Sequence, residues 1–190
     1  MKSRNYSITY RILHWAIAIC FLMLLFTIFL RSTWLNKHNV AAIIQNFMAD
    51  NNQTLTDEQS IQLAKKIRKP MWDWHIYIGY ALVGLYAIRL LVPFLGQMKF
   101  TNPMSREFTF KEKFQYWSYI VFYVCVSVSL TTGLLMMFGP QNLAGPAENI
   151  HVLSIYYLLA FIVIHLFGVF GAELTTQRGL ISKIISGGKK

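Results

Sequence analysis

Four long apolar runs alternate with polar segments of unequal length. The pattern predicts membrane-spanning helices at about 10–30, 71–93, 114–138 and 149–172. Each run is long enough to cross a bilayer core as a helix. Lipid offers no partner for an open backbone, so uncharged runs of this length predict helix rather than strand. The expected fold is all-α: an integral membrane four-helix bundle, up-and-down, over a single domain of residues 1–190. Span three ends in GLLMMFGP, and Gly139-Pro140 should break it. The polar insert 31–69 holds an amphipathic stretch, Lys37 to Met48, then a turn-like Asp50 to Gln53. Thr56 with Gln59 fits a capping box, with a helix to about Arg68 before Pro70. These read as two short helices on the membrane surface. Gln97 to Lys113 is a polar link, and the tail after Ala172 is polar and basic.

Composition supports this reading. Of 190 residues, 55% are hydrophobic and 14% charged, against about 25% charged in soluble domains. The net charge of +10 does not imply nucleic acid, because the basic residues lie at the ends of the apolar runs. They act as topology signals. With the N-terminus inside, eleven basic residues fall on the inner side and six on the outer, which predicts both termini on the inner side. Lys2 and Arg4 before an apolar run resemble a signal peptide, but no A-x-A-like site follows, so the first span is expected to be retained. Cys20 and Cys125 sit inside apolar runs, where a structural disulfide is not expected. There is no C-x-x-C-H for covalent haem.

The chemistry lies in histidines inside the spans. His151 and His165 are fourteen residues apart. On one continuous helix that is four turns less about 40°, with an axial separation of about 21 Å. Ionisable groups at membrane depth suggest a functional site. With the spans alternating in direction, His14 and His165 fall at the inner level, and His75 and His151 at the outer. Zinc would normally want three or four ligands, and no third is evident at either level. A proton relay would favour carboxylates among the histidines. Haem iron needs only two axial side chains, which facing helices of a bundle can supply. Arg89 lies fourteen residues after His75 on one stripe with Gly79, Leu82 and Tyr86, so it falls near the inner level. It could hold haem propionates through its planar fork or snorkel to lipid headgroups. His38 reads as solvated, and Met136 with Met137 as packing.

RILHW in span one, WHIYIGY in span two, GLLMMFG in span three and H-x13-H in span four, with no histidine in span three, form an ordered set. It resembles the bacterial di-haem cytochrome b561 family and the related membrane cytochrome b subunits of hydrogenases and formate dehydrogenases. The resemblance implies two non-covalent haem b groups, axially ligated by His14, His165, His75 and His151. It also implies electron exchange with quinone; the protein is expected in the bacterial inner membrane, where the basic residues put both termini on the cytoplasmic side. The insert 31–69 is longer than in compact members. Two other readings stay open: a membrane anchor for a soluble redox subunit of a larger dehydrogenase or hydrogenase, and a haem-free transporter or scaffold.

Overall fold

The structure, a computed structural model, describes residues 6–96, 108–175 and 177–187. Much of the expected link between spans two and three, 97–107, lies outside them, as do the basic residues of the extreme ends. The described chain is all-α. Four helical stretches are long and apolar enough to cross a membrane: Ile8–Ser32, Lys69–Leu95, Phe110–Phe138 and Gln141–Thr175. Protein covers only 6–22% of the residues in the most apolar window of each. So much exposed apolar surface would be untenable in water and suits a lipid solvent.

Ala16–Tyr86 forms one compact unit. It holds most of α1 (Ile8–Ser32), then α2 (Lys37–Asp50), α3 (Asp57–Ile67) and most of α4 (Lys69–Leu91). The insert is the helix pair expected. Asn36 caps α2 by accepting from the His38 N–H, and His38 itself is exposed. Asn51 closes α2, and Asn52 takes a left-handed φ of 55°, which its short polar side chain tolerates. The capping box is present, with Thr56 Oγ1 accepting from the Gln59 N–H and the Gln59 side chain accepting in return. Val40 and Ala41 of α2 pack on Ala64 of α3, flanked by Ile44 and Ile61. Gln45 Nε2 also donates to Asp57 Oδ1 across the pair at 2.7 Å.

The second unit joins the described parts of Met1–Trp15 and Ala87–Lys190. It holds α5 (Phe110–Phe138), α6 (Gln141–His151), α7 (Ser154–Thr175) and α8 (Leu180–Ser186). A second capping box, Thr109 with Glu112, opens α5 four residues before the expected start of span three. Helix α5 ends at Gly139, and Pro140 caps α6, as the Gly-Pro pair predicted. The expected fourth span over 149–172 lies within Gln141–Thr175, but it is two helices rather than one, broken at Val152–Leu153. At the break the Leu153 N–H bonds to Ile150 O and the Tyr156 N–H to Leu153 O. This three-residue spacing winds tighter than an α-helix. His151 and Ser154, on either side of the break, both hydrogen-bond to Ser129 of α5. The one-helix arithmetic from His151 to His165 therefore does not apply.

The basic tail contains a helix the apolar pattern did not predict. Glu173 accepts from the Gly179 and Ile181 N–H groups at 2.7 and 2.9 Å. At the far end of α8, Arg11 Nη1 donates to Ile185 O and Trp15 Nε1 to Ile184 O. Both termini of this short helix thus find partners for backbone groups its own turns leave open.

Ala64 leaves no room for a larger side chain, being fully buried between α2 and α3. Ala64→Leu should destabilise this helix pair by about 1–3 kcal/mol. Hydrogen exchange should report it as faster amide exchange throughout α2 and α3, with α5 unchanged.

Candidate functional site

His14 of α1 and His165 of α7 face each other. Their ring centroids are 6.1 Å apart, with planes at 45°. Aromatic residues hold both rings in place. Tyr10, one turn before His14, stacks on it at 6.2 Å, and Trp15 meets its edge at 5.8 Å. Phe161, one turn before His165, stacks on that ring at 5.6 Å. Phe122 of α5 stacks on Phe161 in turn at 3.6 Å, and Tyr119 lies 6.4 Å from His165. The i,i+4 spacing puts each partner directly on its histidine.

The other two intramembrane histidines have different neighbours. In the unit Ala16–Tyr86, His75 Nδ1 lies 2.7 Å from Thr27 Oγ1, and Trp72 meets the ring edge-on at 5.3 Å. The Arg31 guanidinium sits 5.1 Å over Trp72. Arg68, the C-cap of α3, adds positive charge nearby. Its partial burial, and then the like charge of Arg31, push its guanidinium below the usual range. In the second unit, His151 Nδ1 lies 2.9 Å from the Ser129 carbonyl and 3.4 Å from Thr132 Oγ1. A carbonyl can only accept, so Nδ1 carries the proton and the neutral ring's lone pair falls on Nε2. Ser129 also anchors a hydroxyl cluster, taking a 2.8 Å bond from Tyr157 and pairing with Ser154.

Gly133 makes the approach of His151 possible. A Cβ there would stand 3.1 Å from His151 Cε1 and 3.5 Å from Nδ1. Arg89 lies in the last turn of α4, its guanidinium 5.5 Å from the Tyr123 ring centre. Met136 and Met137 are exposed on α5. The sequence pattern did not reveal the roles of Thr27, Ser129 and Gly133, although Gly133 opens the GLLMMFG motif. Thr27 is the only hydroxyl between Ile12 and Leu30, which was a usable signal. Ser129 acts through its backbone carbonyl, which no side-chain pattern reveals.

Among the described residues, no three or more of His, Cys, Asp and Glu gather as a metal site would need. Two facing imidazoles without further ligands suit a planar macrocycle that supplies the iron's other four donors. Residues 5–187 match the family described as prokaryotic cytochrome b561. The chain belongs to that family. No curated protein and no solved structure matches it significantly. Membership makes it a multi-pass membrane cytochrome b that binds haem b and transfers electrons.

The His14–His165 geometry fits haem iron. Two imidazoles on opposite sides of one metal ion have ring centres about 6 Å apart, taking a metal–nitrogen bond of about 2.0 Å and a ring centre about 1.1 Å behind each nitrogen. The observed separation is 6.1 Å.

Gly133→Ala should displace the His151 ring by a few tenths of an ångström and weaken its bond to Ser129. Overpacking of this kind costs about 1–3 kcal/mol. Ring-nitrogen NMR of histidine-labelled cytochrome should show the weakened Nδ1–H bond. Gly171→Ala, where an added Cβ meets nothing within 4 Å, should leave that signal in place.

Proposed function

We propose that this cytochrome b carries two non-covalent haem b groups and passes electrons between the quinone pool and a redox partner at the opposite membrane face. The observation that carries the proposal is the facing pair His14 and His165, with ring centres 6.1 Å apart. These two are the axial ligands of one haem. His75 and His151 are the ligands of the second, an assignment resting on their common depth when the spans alternate in direction. Residues 1–190 form a single cytochrome b domain, with 31–69 as an extramembrane insert. The protein sits in the bacterial inner membrane with both termini cytoplasmic, which puts His14 and His165 toward the cytoplasm.

Bound haem supplies a one-electron ferric–ferrous couple. The chain does the rest. His14 and His165 would hold the iron of one haem, and His75 and His151 that of the other. Phe161 and Tyr10 stack on the inner rings and limit their rotation. Arg89 binds the propionates of the inner haem. Arg binds carboxylate through two parallel N–H bonds, and the haem is an anionic partner at the depth where α4 carries its one arginine.

The haem content tests the first part. A pyridine haemochrome assay on fully loaded protein should give about two haems per chain, all extractable with acid–acetone. His14→Ala and His165→Ala should remove the same spectral component, and His75→Ala and His151→Ala the other. If His14→Ala and His151→Ala instead removed the same component, the pairing would be wrong.

Quinone exchange is tested separately. Short-chain quinol analogues should reduce the haems of detergent-solubilised protein quickly, and quinone-site inhibitors should slow the reaction. Reduction by dithionite but by no quinol would point to another donor, as in a membrane anchor for a soluble redox subunit.

A further inference from the structure

Thr27 is an expensive residue to keep where it stands. It lies in an uninterrupted apolar run, is 6% exposed, and carries a hydroxyl that lipid cannot satisfy. A threonine in a helix ordinarily solves this by bonding back to a carbonyl of the preceding turn. Thr27 does so, donating to Leu24 O at 2.6 Å. That bond alone would satisfy its donor. Yet its oxygen also lies 2.7 Å from His75 Nδ1 on α4.

The proton count decides the direction of this second contact. A hydroxyl has one hydrogen, and here it points to Leu24. Toward His75 the oxygen can therefore only accept, so Nδ1 must carry a hydrogen. In a neutral imidazole that places the lone pair on Nε2, the nitrogen at the outer edge of the ring. The same tautomer is imposed on His151 by the Ser129 carbonyl at 2.9 Å. Ser129 acts through its backbone, which no side-chain substitution removes. Thr27 acts through a side chain, which one can.

We propose that Thr27 is a positioning residue for His75: it fixes the tautomer that presents Nε2 to haem iron and lowers the reduction potential of that haem. The proposal rests on the reading of His75 as an axial ligand. The sign follows from charge. An acceptor on Nδ1–H draws the proton away and leaves the ring richer in electrons. Nε2 then becomes a stronger donor, which favours the more positive ferric iron. Without the acceptor, the ferrous state gains.

Thr27→Val keeps the side-chain shape and removes only the oxygen. Thr27→Ser keeps the oxygen. His75→Ala, made alongside, tests the ligand reading by itself. Potentiometric titration of the full-length, haem-loaded cytochrome should show one of its two haems shifted upward in Thr27→Val. The shift expected is about two- to tenfold in the reduction equilibrium, the range of one hydrogen bond. The other haem should titrate as in the native protein. The low-spin ferric EPR signal of the shifted haem should move as well, because it reports the donor strength of the axial imidazole. Thr27→Ser should restore both.

Loss of one haem in Thr27→Val with retention in Thr27→Ser also supports the proposal, since the hydroxyl is then what holds the ligand. Native potentials and EPR in Thr27→Val overturn it, as does a Thr27→Ser protein as defective as Thr27→Val. If His75→Ala keeps both haems, the ligand reading fails and the Thr27 proposal with it. If His75→Ala loses one haem while Thr27→Val is silent, only the role of Thr27 fails. A contact that merely joined two helices would change stability and leave potential and EPR untouched.

Discussion

An imidazole in a membrane helix brings a polar N–H into a solvent that cannot bond to it. The four intramembrane histidines meet this cost in two ways, two by a polar partner and two among rings. His75 meets a threonine hydroxyl and His151 a backbone carbonyl. His14 and His165 instead lie among stacked aromatic rings. Unsatisfied polar groups are costly at low dielectric. Each arrangement therefore constrains ring orientation as well as local packing, and orientation is what axial ligation needs.

This constraint explains otherwise unremarkable residues. Gly133 is needed because the His151 ring must come close to α5 to reach the Ser129 carbonyl. Ser154 begins α7 against Ser129, so the break between α6 and α7 sits where two polar side chains are drawn to α5. The fourth apolar stretch has neither proline nor glycine at the break, and the residues on either side of it, His151 and Ser154, bond to Ser129.

The ends of the chain follow the same economy. Helix α8 is too short to be stable alone. It is held by Glu173 at one terminus and by Arg11 and Trp15 at the other. Arg11 and Trp15 flank His14 in sequence, so the α1 turn that presents a histidine inward also fastens the tail.

The four spans were legible in the sequence because lipid solvation acts residue by residue: a run of apolar side chains crosses the bilayer whatever its neighbours do. The Thr56–Gln59 capping box and the Gly139-Pro140 stop were legible for the same reason, since each is a local backbone matter. The order of the spans alone placed His14 and His165 at one level, and the structure brings their rings to 6.1 Å. The split at Val152–Leu153 could not be read, because neither residue is a helix breaker and the bonds that flank it run to Ser129 of α5. Helix α8 was missed because two of the residues that hold it, Arg11 and Trp15, are more than 160 residues away in the chain. The 6.1 Å spacing of His14 and His165, the tautomer set by Thr27 and the space left by Gly133 depend on side chains from different helices meeting at ångström precision. Periodicity fixes which face a residue occupies, and only packing between helices fixes how far apart two faces come.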